Sequence, residues 1–246
     1  MTPHRSYDGR RTHSRRTPRA LLGLGSVCTA AAVGALLVPH SPTAHASEEV
    51  SIHDIQGDTR VSPLVGRQVT DVVGIVTGVR TEGARGFWIQ EPRSDDDPAT
   101  SEGVFVYTDS QRPRVSPGDR VRVSGTVSEY TPGGASSGNQ SVTQINCTGV
   151  EVVSSGNPLP DAVLLEDASV PEDYAPQGDP TDGDITRLPL RPDRWALDRY
   201  ESLEGMRVAV RNARVVGPST EHDELWVTVK PRQHPTPRGG TRYGAY

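Results

Sequence analysis

Residues 120–129 read RVRVSGTVSE, and their alternation decides the fold class. Val121, Val123 and Val127 fall on one face, while Arg122, Ser124, Thr126 and Ser128 fall on the other. That two-residue period is the mark of a strand with one side buried. Pro117-Gly118-Asp119 immediately before it is turn chemistry. Similar short runs surround it at 50–55, 68–79, 86–91, 103–107 and 141–153, so six strands are expected with 119–129 counted among them. Beyond residue 46 the chain has 26 Val against 9 Leu, a β-branched bias that suits a pleated sheet. Gly74, Gly78 and Gly125 interrupt these runs where a small barrel must bend or bulge. The expected fold class is therefore all-β.

The two ends differ from this centre. Residues 1–19 carry six arginines and one aspartate, 20–38 are apolar and uncharged, and Ala44-His45-Ala46 places small residues at −3 and −1. This is the order of a secretory signal, with a helical apolar segment and cleavage between Ala46 and Ser47. The alternative is a membrane anchor, although the stretch is mostly Ala, Gly, Ser and Thr. Ser14-Arg15-Arg16 resembles a twin-arginine export signal, and Pro18 leaves the export route open. The expected product is secreted, with no stable membrane association after cleavage.

Removing the signal also changes the charge. The whole chain carries −5. Without the six arginines and Asp8 it carries about −10, which excludes a strongly basic duplex-DNA clamp. Cys28 leaves with the signal, so Cys147 has no intramolecular partner. It reads as a buried apolar residue, the alternatives being an exposed thiol or an intermolecular bridge.

From Ser154 to Arg199 there are seven prolines and ten acids against four arginines, with no hydrophobic period. Strand-like runs resume at 205–216 and 224–229. The last stretch is Pro/Gly/Arg-rich. The expected organisation is a signal at 1–46, a β domain at 47–165, a Pro/Asp-rich connection at 166–199, a partial second β unit at 200–230 and a disordered tail at 231–246.

Seven blocks in order carry a resemblance: SIHDIQG (51–57), SPLVGRQVTDVVGIVTGV (62–79), GFWIQEP (86–92), DDDPATSEGVFVYT (95–108), VSPGDRVRVSGTVSEY (115–130), TQI (143–145) and GNPLP (156–160). Together they resemble the OB-fold-like N-terminal domain of secreted bacterial nucleases of the endonuclease/exonuclease/phosphatase superfamily. The likeness covers about 50–165 and, more loosely, 200–230, where YESLEGMRVAV resembles the family's next β segment. It implies a five-stranded barrel followed by a partial second β unit. In the family a catalytic domain follows, using Asn, Asp and Glu around a divalent metal (Mg or Ca) and two His. None of those motifs is present here, so no catalytic residue and no cofactor is expected in this chain. His53 belongs to the SIHDIQG block, read as a strand; His222 and His234 stand alone.

An OB barrel offers the face of strands 2 and 3 and the loops L12 and L45 to oligonucleotides or oligosaccharides. Turning Phe87, Ile89, Val104 and Val106 inward leaves Trp88, Gln90, Phe105 and Tyr107 outside. That set makes a stacking platform for bases, or else it covers the barrel wall or meets the following segment. Arg80 and Arg85 flank L12, Arg112 and Arg114 precede strand 4, and all four are candidates for phosphate contact or solvated surface charge. Tyr130 opens the Gly/Ser-rich L45. Asp95, Asp96 and Asp97, with Glu102, form an acidic loop read as a weak calcium candidate, since the regular EF-hand spacing is absent. The expected partners are a single strand of nucleic acid and the family's own catalytic domain. The alternative is a secreted module binding polysaccharide, cell surface or a partner protein; a hydrolase in its own right lacks a recognisable motif.

Overall fold

A computed structural model describes residues 50–178, 183–219, 225–233 and 235–238. The signal segment, its Ala46/Ser47 junction, His222, His234 and residues 239–246 lie outside the described residues. Five of the six expected runs are strands: β1 (Gln68–Arg80), β2 (Arg85–Gln90), β3 (Gly103–Asp109), β4 (Arg120–Tyr130) and β5 (Val142–Ser154). They close on one another in the order β1-β2-β3-β5-β4, with β4 returning to β1. Within this closed sheet only the β3/β5 pair is parallel. Phe87, Ile89, Val104, Val106, Val121, Val123, Val127 and Ile145 fill the interior from alternate positions, as the period-2 reading requires. Bulges fall at Val76/Gly78 and Ser124/Gly125, where a closed sheet of so few strands must turn sharply.

The sixth run is a correction. Residues 50–55 do not form a strand; Ile52–Gln56 form a short helix, α1. Ile52 and Ile55 are three apart, so a helix places both on one face, whereas a strand would send them to opposite faces. Both are fully buried in the barrel core. Ser51 and Asp54 form a capping box at the start, and Gly57 ends the helix at φ 70°, a conformation that favours glycine.

All described residues fall within one compact unit, Ala46–Tyr246. The C-terminal part therefore does not stand apart from the barrel. It contains β6 (Val163–Leu165), α2 (Ala196–Glu201), β7 (Val208–Val210), β8 (Arg214–Val215) and β9 (Val227–Thr228). The expected long strand at 205–216 is thus two short ones, preceded by a helix that holds Tyr200 and Glu201. β6 and β7 pair in parallel, and β8 pairs antiparallel with β9. A small second core gathers Leu165, Val170, Ala196, Leu203 and Val229.

Polar ties fix this part to the barrel's N-terminal approach. Arg60 and Asp198 form a buried ion pair, the Arg60 guanidinium also donates to the Ile185 carbonyl (2.9 Å), and Asp198 accepts from the Arg191 amide (2.7 Å). The connection that showed no period in sequence is organised by these charges rather than by apolar patterning. Gly103 and Gly205 meet backbone to backbone: a Cβ on Gly103 would lie 2.4 Å from the Gly205 carbonyl carbon. Among the described residues, no helix is long and apolar enough to cross a membrane.

Candidate functional site

Strand register assembles one aromatic groove. Trp88 on β2 sits opposite Gly78 on β1 and Phe105 on β3, and Phe105 sits beside Gln144 on β5. The inward pleat positions carry Phe87, Ile89, Val104 and Val106, so Trp88, Phe105 and Tyr107 take the outer positions, where Phe105 is only 8% exposed. The Trp88 and Phe105 rings are 4.9 Å apart between centroids and tilted by 49°. Glycines make this possible, because the Phe105 ring lies over Gly86, where a Cβ would come within 2.5 Å of its Cζ. Arg80 and Ala84 bound the groove at the β1–β2 turn; Tyr130, Pro132 and Val142 bound it at the β4–β5 loop. Its volume is about 480 Å³. Tyr130 is 52% exposed at the rim. The Tyr107 hydroxyl donates to Asp109 (3.2 Å), which pushes the phenol above its ordinary value. Trp88, Phe105, Tyr107, Tyr130 and Arg80, singled out separately in the sequence, are thus brought together.

The other candidates lie elsewhere. Gln90 is only 3% exposed, and its side-chain carbonyl accepts from the Arg207 amide (2.8 Å), so it anchors the C-terminal part. Arg85 donates to the carbonyls of Thr81 (3.1 Å) and Ser110 (2.7 Å), bracing two loops. Arg112 and Arg114 line a different recess. In the acidic loop, Asp95 accepts from the Asp97 amide (2.8 Å) and the Thr100 hydroxyl (2.9 Å), and Asp97 accepts from the Ala99 amide (2.9 Å). Asp95, Asp96 and Asp97 are exposed while Glu102 is buried. Among the described residues, no three His, Cys, Asp or Glu side chains are grouped to hold a metal ion.

Two constellations went unread in the sequence. Ser51 Oγ lies 2.9 Å from His53 Nε2, and His53 Nδ1 lies 3.2 Å from Glu91 Oε2. The connectivity matches a nucleophile, base and orienting carboxylate. Its protons run the other way. The Ser51 hydroxyl donates its single proton to Asp54, so in this arrangement it has none to give His53, whichever ring nitrogen carries hydrogen. The amides of Ser51 and Ile52 are committed to Asp54 and Glu91, which leaves neither of them to stabilise an oxyanion. This chain of contacts caps α1 and ties it to the end of β2.

The second constellation is a carboxylate cluster where α2 meets the barrel. Glu204 accepts from the Thr143 amide (2.8 Å). Glu129 accepts from the Ser62 amide and the Thr143 hydroxyl (both 2.9 Å), while its other oxygen is buried without a partner. Burial pushes Glu201 up to about 7, against the opposing pull of Arg60. Burial, with Glu201 nearby, also pushes Glu204 well above the ordinary range. Glu201 is therefore about half protonated near neutral pH, and Glu204 is displaced further toward the protonated form. Sequence pattern gives no sign of this, because Glu129 is separated from the other two by more than seventy positions.

No curated protein matches the chain. Residues 163–246, about a third of the chain opening at the first residue of β6, match the family described as a domain of unknown function (DUF8508).

Proposed function

We propose that residues 50–165 form an OB-fold-like barrel that binds a single strand of nucleic acid in the aromatic groove. In this reading the chain is a non-catalytic, secreted accessory region of an endonuclease/exonuclease/phosphatase-type nuclease. The observation that carries it is the position of the groove. Trp88, Phe105 and Tyr107 lie on the outer face of β2 and β3, between the β1–β2 turn and the β4–β5 loop. The closed order β1-β2-β3-β5-β4 supports the fold assignment, since that face and those loops are where an OB barrel takes extended ligands. Stacking on aromatic rings is sequence-tolerant, and Arg80 at the rim supplies a phosphate contact. The metal chemistry, with Mg or Ca, belongs to the family's catalytic domain rather than to these residues. Export follows from the signal at 1–46, with release between Ala46 and Ser47.

One observation favours the alternative, an uncharged glycan stacked on the same rings. Among the described residues, Arg80 is the only cation lining the groove, in a region whose formal charge is about −10 beyond residue 46. Anisotropy of a labelled oligothymidylate separates the two readings. Binding that weakens steeply with salt and is not displaced by neutral oligosaccharide supports the nucleic-acid reading. Salt-independent binding of the glycan alone overturns it.

A further inference from the structure

A second recess opens where β3 ends and β5 carries on. Its walls are Thr108, the loop Gln111–Arg114 and residues 147–150 of β5, and it encloses about 550 Å³. That volume suits a ligand of small-molecule size. It shares no lining residue with the aromatic groove.

Its chemistry is unlike the rest of the chain. Arg112 and Arg114 both line it, and no Asp or Glu does. Neither guanidinium has a hydrogen-bond or ion-pair partner among the described residues. Two cations therefore face one concavity with their donors unspent, in a chain of net negative charge. Pro113 between them restricts the loop backbone, and the Thr108 hydroxyl accepted by the Gln111 carbonyl (2.8 Å) closes the turn that carries them. The two hydroxyls present are already used as donors, Thr108 to Gln111 and Thr148 to Ser124 (3.2 Å). The arginine forks, with the Gln111 side-chain amide beside them, remain as the side-chain donors suited to a tetrahedral oxyanion. Pro113, Cys147 and Val150 supply an apolar surface beside them.

We propose that this recess binds a phosphate-bearing organic anion of mononucleotide size, the phosphate on Arg112 and Arg114 and the base on the apolar wall. The proposal does not rest on the groove reading. A free nucleotide and the 5′ end of a strand both present such a phosphate, and the recess recognises the chemistry common to both.

Cys147 provides the reporter, because it is half-buried, lines the recess and is distinguishable by peptide mass from Cys28. Its alkylation by iodoacetamide in the full chain is timed with thymidine 5′-monophosphate, inorganic phosphate or thymidine present. Labelling slows by one plus the ratio of ligand concentration to Kd, so the monophosphate at about five times Kd protects about sixfold. Inorganic phosphate protects at higher concentration and thymidine does not. R112E/R114E abolishes protection. Gly149→Leu does so sterically while keeping both charges, since a Cβ there meets nothing within 4 Å. Protection by a 5′-phosphorylated oligothymidylate, but not its unphosphorylated twin, extends the site to strand ends; protection by the mononucleotide alone confines it to free nucleotides. No saturable protection by the monophosphate, equal protection by thymidine, or protection that survives in R112E/R114E overturns the proposal.

Discussion

Raising the pH from 5 to 8 should loosen the contact between α2 and the barrel, and Glu201 sets the magnitude. Its carboxyl titrates at about 7 in the folded chain against 4.5 when free, because burial disfavours the charged form. A carboxyl with a raised folded value stabilises the fold fully below its free value and loses that contribution as pH rises through the folded value. The window for Glu201 is therefore about pH 4.5 to 7. A shift of this size corresponds to about 3 kcal/mol at most. Glu204, also displaced upward by burial, acts in the same direction. Asp54 and Asp184 are displaced downward by their hydrogen bonds, so their contributions are lost only on acidification below this window. The assay is hydrogen exchange across 196–210, with denaturant midpoints, at pH 5, 6, 7 and 8 after correction for intrinsic exchange. Glu201→Gln keeps the shape and removes the titration, so stability should fall less with pH than in wild type, by up to about 3 kcal/mol over the window. A wild-type chain equally protected at pH 5 and 8, or a Glu201→Gln slope identical to wild type, would refute the reasoning.

Three further outcomes are expected. Gly103→Ala places a methyl group 2.4 Å from the Gly205 backbone, so exchange should rise across 200–210 while the β1–β5 core stays protected; the strain is on the order of 1–3 kcal/mol. Ser51→Ala removes the α1 cap and should cost about 1 kcal/mol in denaturant unfolding. The wild-type chain should also hydrolyse p-nitrophenyl acetate no faster than this variant, and a serine-dependent rate would show that Ser51, His53 and Glu91 do act as a triad.

The barrel was legible because its strands alternate. Val121, Val123 and Val127 mark an inner face from sequence alone, and that face is buried. The same period separated Phe87 and Ile89 from Trp88, which is why the groove's aromatics could be named in advance. α1 was misread because Val50-Ser51-Ile52-His53-Asp54-Ile55 also alternates roughly. The capping pair Ser51/Asp54 and Gly57 were the local signals for a helix. Gln90 was read as an outward binding residue, yet it is buried and its partner is Arg207, 117 positions away, and strand periodicity carries no information at that range. Arg60 and Asp198 show the same limit, since a buried ion pair is a property of two distant segments brought together. Arginines near a loop could be listed from sequence, but only packing separates Arg80 in the groove, Arg85 as a brace and Arg112 and Arg114 in their own recess.

The central claim is that the outer face of β2 and β3 takes up a single strand by stacking. Titration of wild type and the Trp88→Ala/Tyr107→Ala double variant with labelled oligothymidylate at low salt tests it most directly, with circular dichroism showing that the variant keeps its sheet. Each lost stack is worth about 1–3 kcal/mol, so the double variant should bind at least about 30-fold more weakly. A folded double variant that binds as tightly as wild type, or a wild-type chain that does not bind at all, would contradict it.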